Sequence, residues 1–319
     1  MDQVRNLAHM KPNTQSFYEV AVQQTIEAVA AALDRALDLR VLARAAALSP
    51  FHFHRIFRGM LGETPLELHR RLRLERAAWC LLNEETPITS LAFDAGYETH
   101  ESFTRAFRAR YDCAPSDFRQ RGRGGKGRRP FPIELAAQSG IHFRAGSVDL
   151  SEIHFIHGEI RMNTVLKDMP PLRVVAVRHT GPYHRIAEAF AKLGAIAAQT
   201  KLLGPGAQMV AVYYDDPETT PPSELRSDAA ISVAPGASLP APLPEGLSEL
   251  EIPSGRYACA THVGPYEQLG DAWSRLLGVW LPASGHRMKD SICFELYRNT
   301  PADVPKEQLQ TELYVPLEP

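Results

Sequence analysis

The apolar positions of this chain follow two different periods. Up to about residue 120 they recur every three or four residues, as on amphipathic helices; beyond about residue 160 they form short alternating or continuous runs bounded by proline and glycine, as in strands. Phe17 to Leu33 predicts a helix, with Val22, Ile26, Val29 and Leu33 spaced to pack. Thr64 to Leu82 predicts one long helix: Thr64 can cap it, Pro65 suits its first turn, and Leu68, Leu72, Trp79 and Leu82 line a face. On either side of this helix lies one copy of the same pattern, a short helix, a tight turn and a second amphipathic helix. Leu42, Ala43 and Ala46 match Leu91, Ala92 and Ala95 at an offset of 49, while Arg55, Phe57 and Pro65 match Arg105, Phe107 and Pro115 at an offset of 50. One inserted residue therefore belongs to the second turn.

The second helix of each copy carries the candidate chemistry. In the first copy Phe53, Ile56, Phe57 and Met60 make a buried stripe, which turns Phe51, Arg55 and Arg58 outward with His54 on the flank. In the second, Phe103, Ala106 and Phe107 are the stripe, and Glu101, Arg105 and Arg108 face out beside His100 and Thr104. Such a face suits a major groove, where arginine bridges guanine O6 and N7 and a ring packs on a thymine methyl. A single basic helix face is equally well a solvated surface; two matching copies favour double-stranded DNA. The long helix between them is then a spacer that lets one chain reach two successive major-groove segments, which lie ~34 Å apart on one face of B-DNA.

Residues from about Phe17 to Arg119 resemble the DNA-binding domain of AraC/XylS-type bacterial transcription regulators. The carrying residues include Leu42-Ala43, Ser49-Pro50, Phe53-His54-Arg55-Ile56-Phe57, Gly62-Glu63-Thr64-Pro65, Ala95-Gly96-Tyr97, Ser102-Phe103-Thr104-Arg105-Ala106-Phe107-Arg108 and Ala114-Pro115-Ser116-Asp117-Phe118-Arg119. The resemblance implies base-contacting positions at Phe51, His54, Arg55, Arg58, His100, Glu101, Thr104 and Arg105, and RNA polymerase as a further partner.

The strand-rich half also repeats itself. Leu172 to Tyr183 is similar to Gly255 to Tyr266 at an offset of 83, and Ala189-Phe190 and Leu193 match Ala272-Trp273 and Leu276. Each half predicts a β-hairpin, a helix after Gly-Pro-Tyr and two more strands, a βαββ repeat. The two repeats would form a curved antiparallel sheet with two helices on one side and a concave groove along the pseudo-symmetry axis, a place that favours small ligands. Glu295 breaks the symmetry, standing in an apolar strand where the first half has Ala211. A carboxylate there is costly unless bonded. Its partner is either an arginine across the sheet, or water, or an organic cation held also by rings; the candidate rings are Tyr183, Tyr213, Tyr266, Trp273 and Tyr297.

From about Gly158 to Leu317 the chain resembles the GyrI-like domain of gyrase-inhibitor-like proteins and multidrug-sensing regulators. The matching residues include His179-Thr180-Gly181-Pro182-Tyr183, Tyr213-Tyr214-Asp215-Asp216-Pro217, His262-Val263-Gly264-Pro265-Tyr266, Phe294-Glu295-Leu296-Tyr297 and Thr311-Glu312-Leu313-Tyr314. The resemblance implies a lipophilic, often cationic ligand, with Glu295 at the ligand-facing glutamate. Two alternatives stay open, a hydrolase with Glu295 as general base, and a module that sequesters a protein partner. No nucleophile–base set stands out, so neither catalytic residues nor a cofactor is expected.

Composition and charge complete the frame. The 319 residues suit two domains: 15–120 for DNA binding, 121–157 as a basic glycine-rich linker and connecting segment, and 158–319 for effector binding. Residues 1–130 hold 20 Lys/Arg against 15 Asp/Glu, and residues 131–319 hold 15 against 22, so the basic half coincides with the helix-turn-helix pair. Arg121 to Pro130, with five cations among glycines, is expected to be a flexible tether or a phosphate contact. His154-x-x-His157 has no carboxylate or cysteine pattern to complete a metal site. The four cysteines lie far apart, no apolar run reaches the ~18 residues of a membrane span, and no export signal opens the chain, which together predict a cytoplasmic protein.

Overall fold

The computed structural model describes residues 12–45, 50–123, 132–156, 162–200, 206–215, 220–234 and 236–319. The chain divides into two compact units: one holds residues 19–47 and 56–158, the other residues 1–18, 48–55 and 159–319. Among the described residues, no helix is long and apolar enough to cross a membrane.

The helical part runs α1 (Pro12–Ala30), α2 (Leu39–Ala45), α3 (Pro50–Leu61), α4 (Pro65–Asn83), α5 (Ile88–Asp94), α6 (His100–Tyr111) and α7 (Pro115–Arg123). α2 with α3 and α5 with α6 are the two predicted helix-turn-helix pairs, and α4 is the spacer between them. Thr64 starts α4 through a capping box: its hydroxyl accepts from the Glu67 amide at 3.1 Å, and the Glu67 carboxylate accepts from the Thr64 amide at 2.9 Å. Instead of one apolar face, α4 is buried on several sides, at Leu68 and Leu72 and again at Leu74, Ala77, Ala78 and Leu81. The reason is that a spacer serves more than one neighbour. Leu74, Ala77, Ala78 and Leu81 join Leu91, Ala92, Phe103, Phe107 and Phe118 in one core, while Trp79 and Leu82 are only half-buried. The second turn depends on Gly96, whose φ is +80° and where a Cβ would stand 2.0 Å from Arg73 Nη1. That guanidinium in turn holds the Leu33 and Arg35 carbonyls at 2.7 and 2.8 Å.

Of the expected tether, only its first three residues are described. α7 continues to Arg123, into the glycine-rich stretch, and residues 124–131 lie outside the described residues. Residues 132–156 pack on the helical unit and include a hairpin of β1 (His142–Arg144) and β2 (Ser147–Asp149). His154 is exposed, and His157 lies outside the described residues. Among the described residues, no group of three or more His, Cys, Asp or Glu is placed to hold a metal ion.

The second unit contains β3 (Thr164–Met169), β4 (Leu172–Thr180), α8 (Ala187–Thr200), β5 (Met209–Tyr213), β6 (Arg226–Ser232), β7 (Ser248–Ile252), β8 (Gly255–Val263), α9 (Leu269–Arg275), β9 (Phe294–Tyr297) and β10 (Gln310–Pro316). The eight strands form one antiparallel sheet in the order β3-β8-β10-β9-β5-β6-β4-β7, a curved half-barrel. The predicted hairpins are exchanged: β3 pairs with β8 rather than β4, and β7 pairs with β4 rather than β8. Pro170-Pro171 and Pro253-Ser254 occupy the two links, and proline's fixed negative φ is incompatible with the positive-φ turns of a two-residue hairpin. One sheet face buries Val174, Val210, Val212, Tyr257, Phe294, Leu296 and Tyr314 together, joining strands from both ends of the sheet across its curve. The other face carries α8, through Ala189, Leu193 and Ala197 on Val177, Ala229 and Ile231.

Candidate DNA-reading surface and ligand site

α6 presents the cleaner of the two reading faces. Thr99 caps it, accepting from the Ser102 amide at 3.1 Å, and Asp112 closes it in the left-handed conformation with φ 54°. Phe103 and Phe107 are buried, with rings 5.6 Å apart, and Ala106 is half-buried. His100, Glu101, Thr104, Arg105 and Arg108 line one open depression on the outer side. Glu101, Arg105 and Arg108 are fully in solvent reach, His100 and Thr104 half so. The backbone at the helix start and the Thr99 hydroxyl hold the Glu101 carboxyl below its usual range, so it stays an acceptor, suited to a cytosine amino group.

On α3, Arg58 is exposed and Arg55 half-buried, while His54 is buried rather than on the flank. The physical cause is that His54, Phe57 and Leu61 form a second i, i+3, i+7 line beside the Phe53–Ile56–Phe57–Met60 stripe, which widens the packed side of the helix. The helix includes Phe51, but its side chain lies outside the described residues.

In the other unit Glu295 stands at the pseudo-symmetry axis, paired across β5 and β9 with Ala211, the residue at its own repeat position. It is 2 % exposed. Trp273 Nε1 donates to it at 2.7 Å, Tyr297 OH at 2.7 Å and Tyr213 OH at 3.1 Å. Burial raises its pKa above the usual carboxylate range although these three donors pull it down. Burial, with Glu295 nearby, holds the Tyr213 and Tyr297 phenols well above their ordinary values, so both remain donors. Half-buried rings continue the wall: Tyr183 packs edge-on against Tyr213 at 4.8 Å, and Tyr266 against Tyr297 at 5.3 Å. Thus the five rings that the sequence offers as candidates converge around the sixth residue, the Glu295 carboxylate. Phe190 on α8 was missed; its ring meets Tyr297 at 5.6 Å and 90°. The repeat carries the signal for it, since Phe190 is the counterpart of Trp273.

Two other buried acids of the sheet show the contrast. Asp228 is held by Arg178 at 2.5 Å and Tyr214 at 2.6 Å, and Glu312 by Arg298 at 2.7 Å, Lys167 at 3.3 Å and Tyr314 at 2.6 Å. Each is hydrogen-bonded to a guanidinium. Glu295 takes its hydrogen bonds from neutral donors, which satisfy its oxygens; the Arg55 guanidinium, 5.3 Å from the centre of the Trp273 ring, acts on it through charge and not through a hydrogen bond.

Comparison with known families places both halves. Residues 42–121 match a helix-turn-helix domain and residues 162–318 match the GyrI-like small molecule binding domain. The class is therefore a DNA-binding transcription regulator joined to a small-molecule-binding domain. The chain belongs to the AraC-type regulators, with a GyrI-like domain as its C-terminal half. It is 37 % identical over 130 residues to a DNA gyrase inhibitor of Yersinia enterocolitica, covering 40 % of this chain and 82 % of that one. It is 36 % identical over 113 residues to the probable transcriptional regulator YgiV of Escherichia coli, covering 34 % and 67 %. With the regulatory protein SoxS of Salmonella typhimurium it shares 35 % identity over 104 residues, covering 33 % and 97 %.

Proposed function

We propose that this regulator senses a lipophilic organic cation at Glu295 and answers by changing how the double helix-turn-helix domain holds two successive major-groove segments of its operator. The observation that carries the sensing half is the buried carboxylate whose hydrogen bonds, among the described residues, come from the neutral donors Trp273, Tyr213 and Tyr297, at the centre of a ring of aromatic side chains. A delocalised cation suits this place because it needs no hydrogen bonds from the site, loses little hydration on entry and is attracted by both the carboxylate and the ring faces. On the DNA side, Arg58, Arg105 and Arg108 are exposed guanidiniums on the outward faces of the two recognition helices; Arg55, His100, Glu101 and Thr104 complete the base-reading set, and RNA polymerase is the partner through which activation would proceed.

The test is a fluorescence titration of the full chain with tetraphenylphosphonium and with neutral triphenylphosphine oxide, in the wild type and in Glu295→Gln. Saturable binding of the cation that weakens at least ~10-fold in the variant is expected, since a desolvated charge pair contributes more than a kcal/mol. Equal binding of both compounds, or an indifferent variant, removes Glu295 from the reading. The likeness to a gyrase inhibitor supports a second reading, in which the C-terminal domain sequesters a protein. Capture of purified gyrase by the chain, without cation binding, would favour it.

A further inference from the structure

Residues 132–156 lie beyond the helix-turn-helix match, which ends at residue 121, yet they complete the interior of the DNA-reading unit. The centre of this contact is Glu75 on α4, which is fully buried. Its carboxylate accepts from the backbone amides of Leu135 and Phe143, both at 2.9 Å, from Arg71 Nη1 at 3.0 Å, and lies 3.1 Å from His142 Nδ1. Arg71 is buried beside it: it donates to the Ile141 carbonyl at 2.8 Å and forks onto Glu63 at 2.9 and 2.6 Å, and Ser139 Oγ donates to the same Glu63 at 2.6 Å. A buried carboxylate or guanidinium is tolerated only when its bonding capacity is filled. Here residues 132–143 supply two amides, a carbonyl, a hydroxyl and an imidazole to do so. Removing the segment would leave Glu75 and Arg71 buried and underbonded.

Its far end reaches the first recognition helix. After the β1–β2 hairpin the chain returns alongside itself, with the His154 amide donating to Ser139 O at 2.8 Å, and the Ile156 amide then donates to Met60 O at 2.7 Å. Met60 is in the last turn of α3, where carbonyls have no partner within the helix. Gly62, just past that helix with φ +79°, is approached so closely that a Cβ would lie 2.8 Å from Gln138 Oε1 and 3.1 Å from Ile156 Cδ1. One segment thus grips the spacer helix at one end and the C-terminal turn of the recognition helix at the other.

We propose that residues 132–156 are a positioning strap for DNA reading, which fixes the tilt of α3 against α4 and thereby the fit of the first recognition helix in its groove. The strap acts through α3 and touches no base itself. It is also the last part of the reading unit before the chain enters the small-molecule domain, whose match begins at residue 162.

The experiment uses the full chain and the duplex that the wild type enriches from a random-sequence pool. Arg58→Ala and Arg105→Ala assign which segment of that duplex each recognition helix reads. Ile156→Pro removes the amide that holds Met60 O, Ile156→Ala keeps the amide and loses the side chain, and Ser139→Ala removes the bond to Glu63. Ile156→Pro should lose roughly 10-fold of base discrimination in the α3 segment while keeping it in the α6 segment; Ile156→Ala should retain most of both. Ser139→Ala, a milder change, should shift the α3 segment alone and in the same direction. Equal loss in both segments is the mark of general destabilisation and overturns the proposal, as does no loss in either. If Ile156→Pro does not fold, Ser139→Ala together with wild-type hydrogen exchange decides: the amides of Leu135, Phe143 and Ile156 should be protected as strongly as those of α4, and fast exchange overturns the strap. A wild type that enriches no duplex would overturn DNA reading itself, and the strap's role with it.

Discussion

Glu295 is a buried carboxyl whose pKa is raised in the folded chain, and the sign of that shift has two consequences. A group with a raised folded pKa contributes its stability below its unfolded pKa and loses it as pH rises through the folded value. Free protein should therefore lose stability relative to Glu295→Gln as pH climbs from ~4 through the titration of Glu295, because Gln keeps acceptor and shape without charge. Thermal melts of the two proteins across that range would check it; parallel curves would mean the carboxyl is not perturbed. A bound cation favours the ionised form, so affinity for tetraphenylphosphonium should rise with pH over the same window and binding should release a proton. At the reading surface, Arg105→Ala should cost ~1–3 kcal/mol of discrimination at one base pair if its guanidinium is bidentate to guanine, with other positions unchanged. Binding profiles over single-base operator variants would show it. The sequence displayed these residues because each breaks a local rule, a carboxylate in an apolar strand or paired arginines on two matched helix faces. His54 departs from its local rule, since a single apolar stripe puts it on the flank while the helix buries two adjoining lines.

Elements follow from short-range chemistry where the deciding partners are near in sequence. The capping box of Thr64 and Glu67, the Thr99 cap of α6 and the helix-breaking turn at Gly96 all act within a few residues, and the helices appear where the periodicity placed them. Gly96→Ala should destabilise the helical unit by more than the ~1 kcal/mol of an ordinary glycine substitution, since the φ of +80° and the 2.0 Å approach to Arg73 oppose any Cβ. Chemical denaturation would measure it, and a neutral result would mean that Arg73 can leave its carbonyl partners without cost. The strands too lie where the apolar runs predict them, but their partners do not follow from those runs. Pro170-Pro171 forbids the tight hairpin without naming β8 as the alternative for β3, because pairing is decided by what the whole curved sheet buries.

For the whole molecule, two sites in one chain make a regulator only if binding at one changes the free energy at the other. Linkage requires the effect to be mutual: whatever factor a cation imposes on operator affinity, the operator imposes on cation affinity, typically about 5–150-fold where coupling exists. Titrating tetraphenylphosphonium with and without the enriched duplex, and the duplex with and without the cation, should give the same factor. Unequal factors would mean the compound acts somewhere other than this protein, and a factor of one would mean Glu295 is occupied without consequence.

By itself the sequence determined two halves of opposite charge, a duplicated helix-turn-helix about a capped spacer, a duplicated βαββ unit, and one carboxylate out of place among aromatic residues. These are properties of period, repeat and local chemistry, which a chain carries before it folds. Only the tertiary structure decided that β3 and β7 change places, that Trp273 delivers its indole N–H to Glu295 from a different element, and that residues 132–156 fill the interior of the DNA-reading unit. Each of these joins groups whose partnership no local rule specifies. Arg71 finds Ile141 seventy positions away because a buried guanidinium must be satisfied by whatever carbonyl the fold brings to it, and the fold is chosen by the sum of all such needs at once.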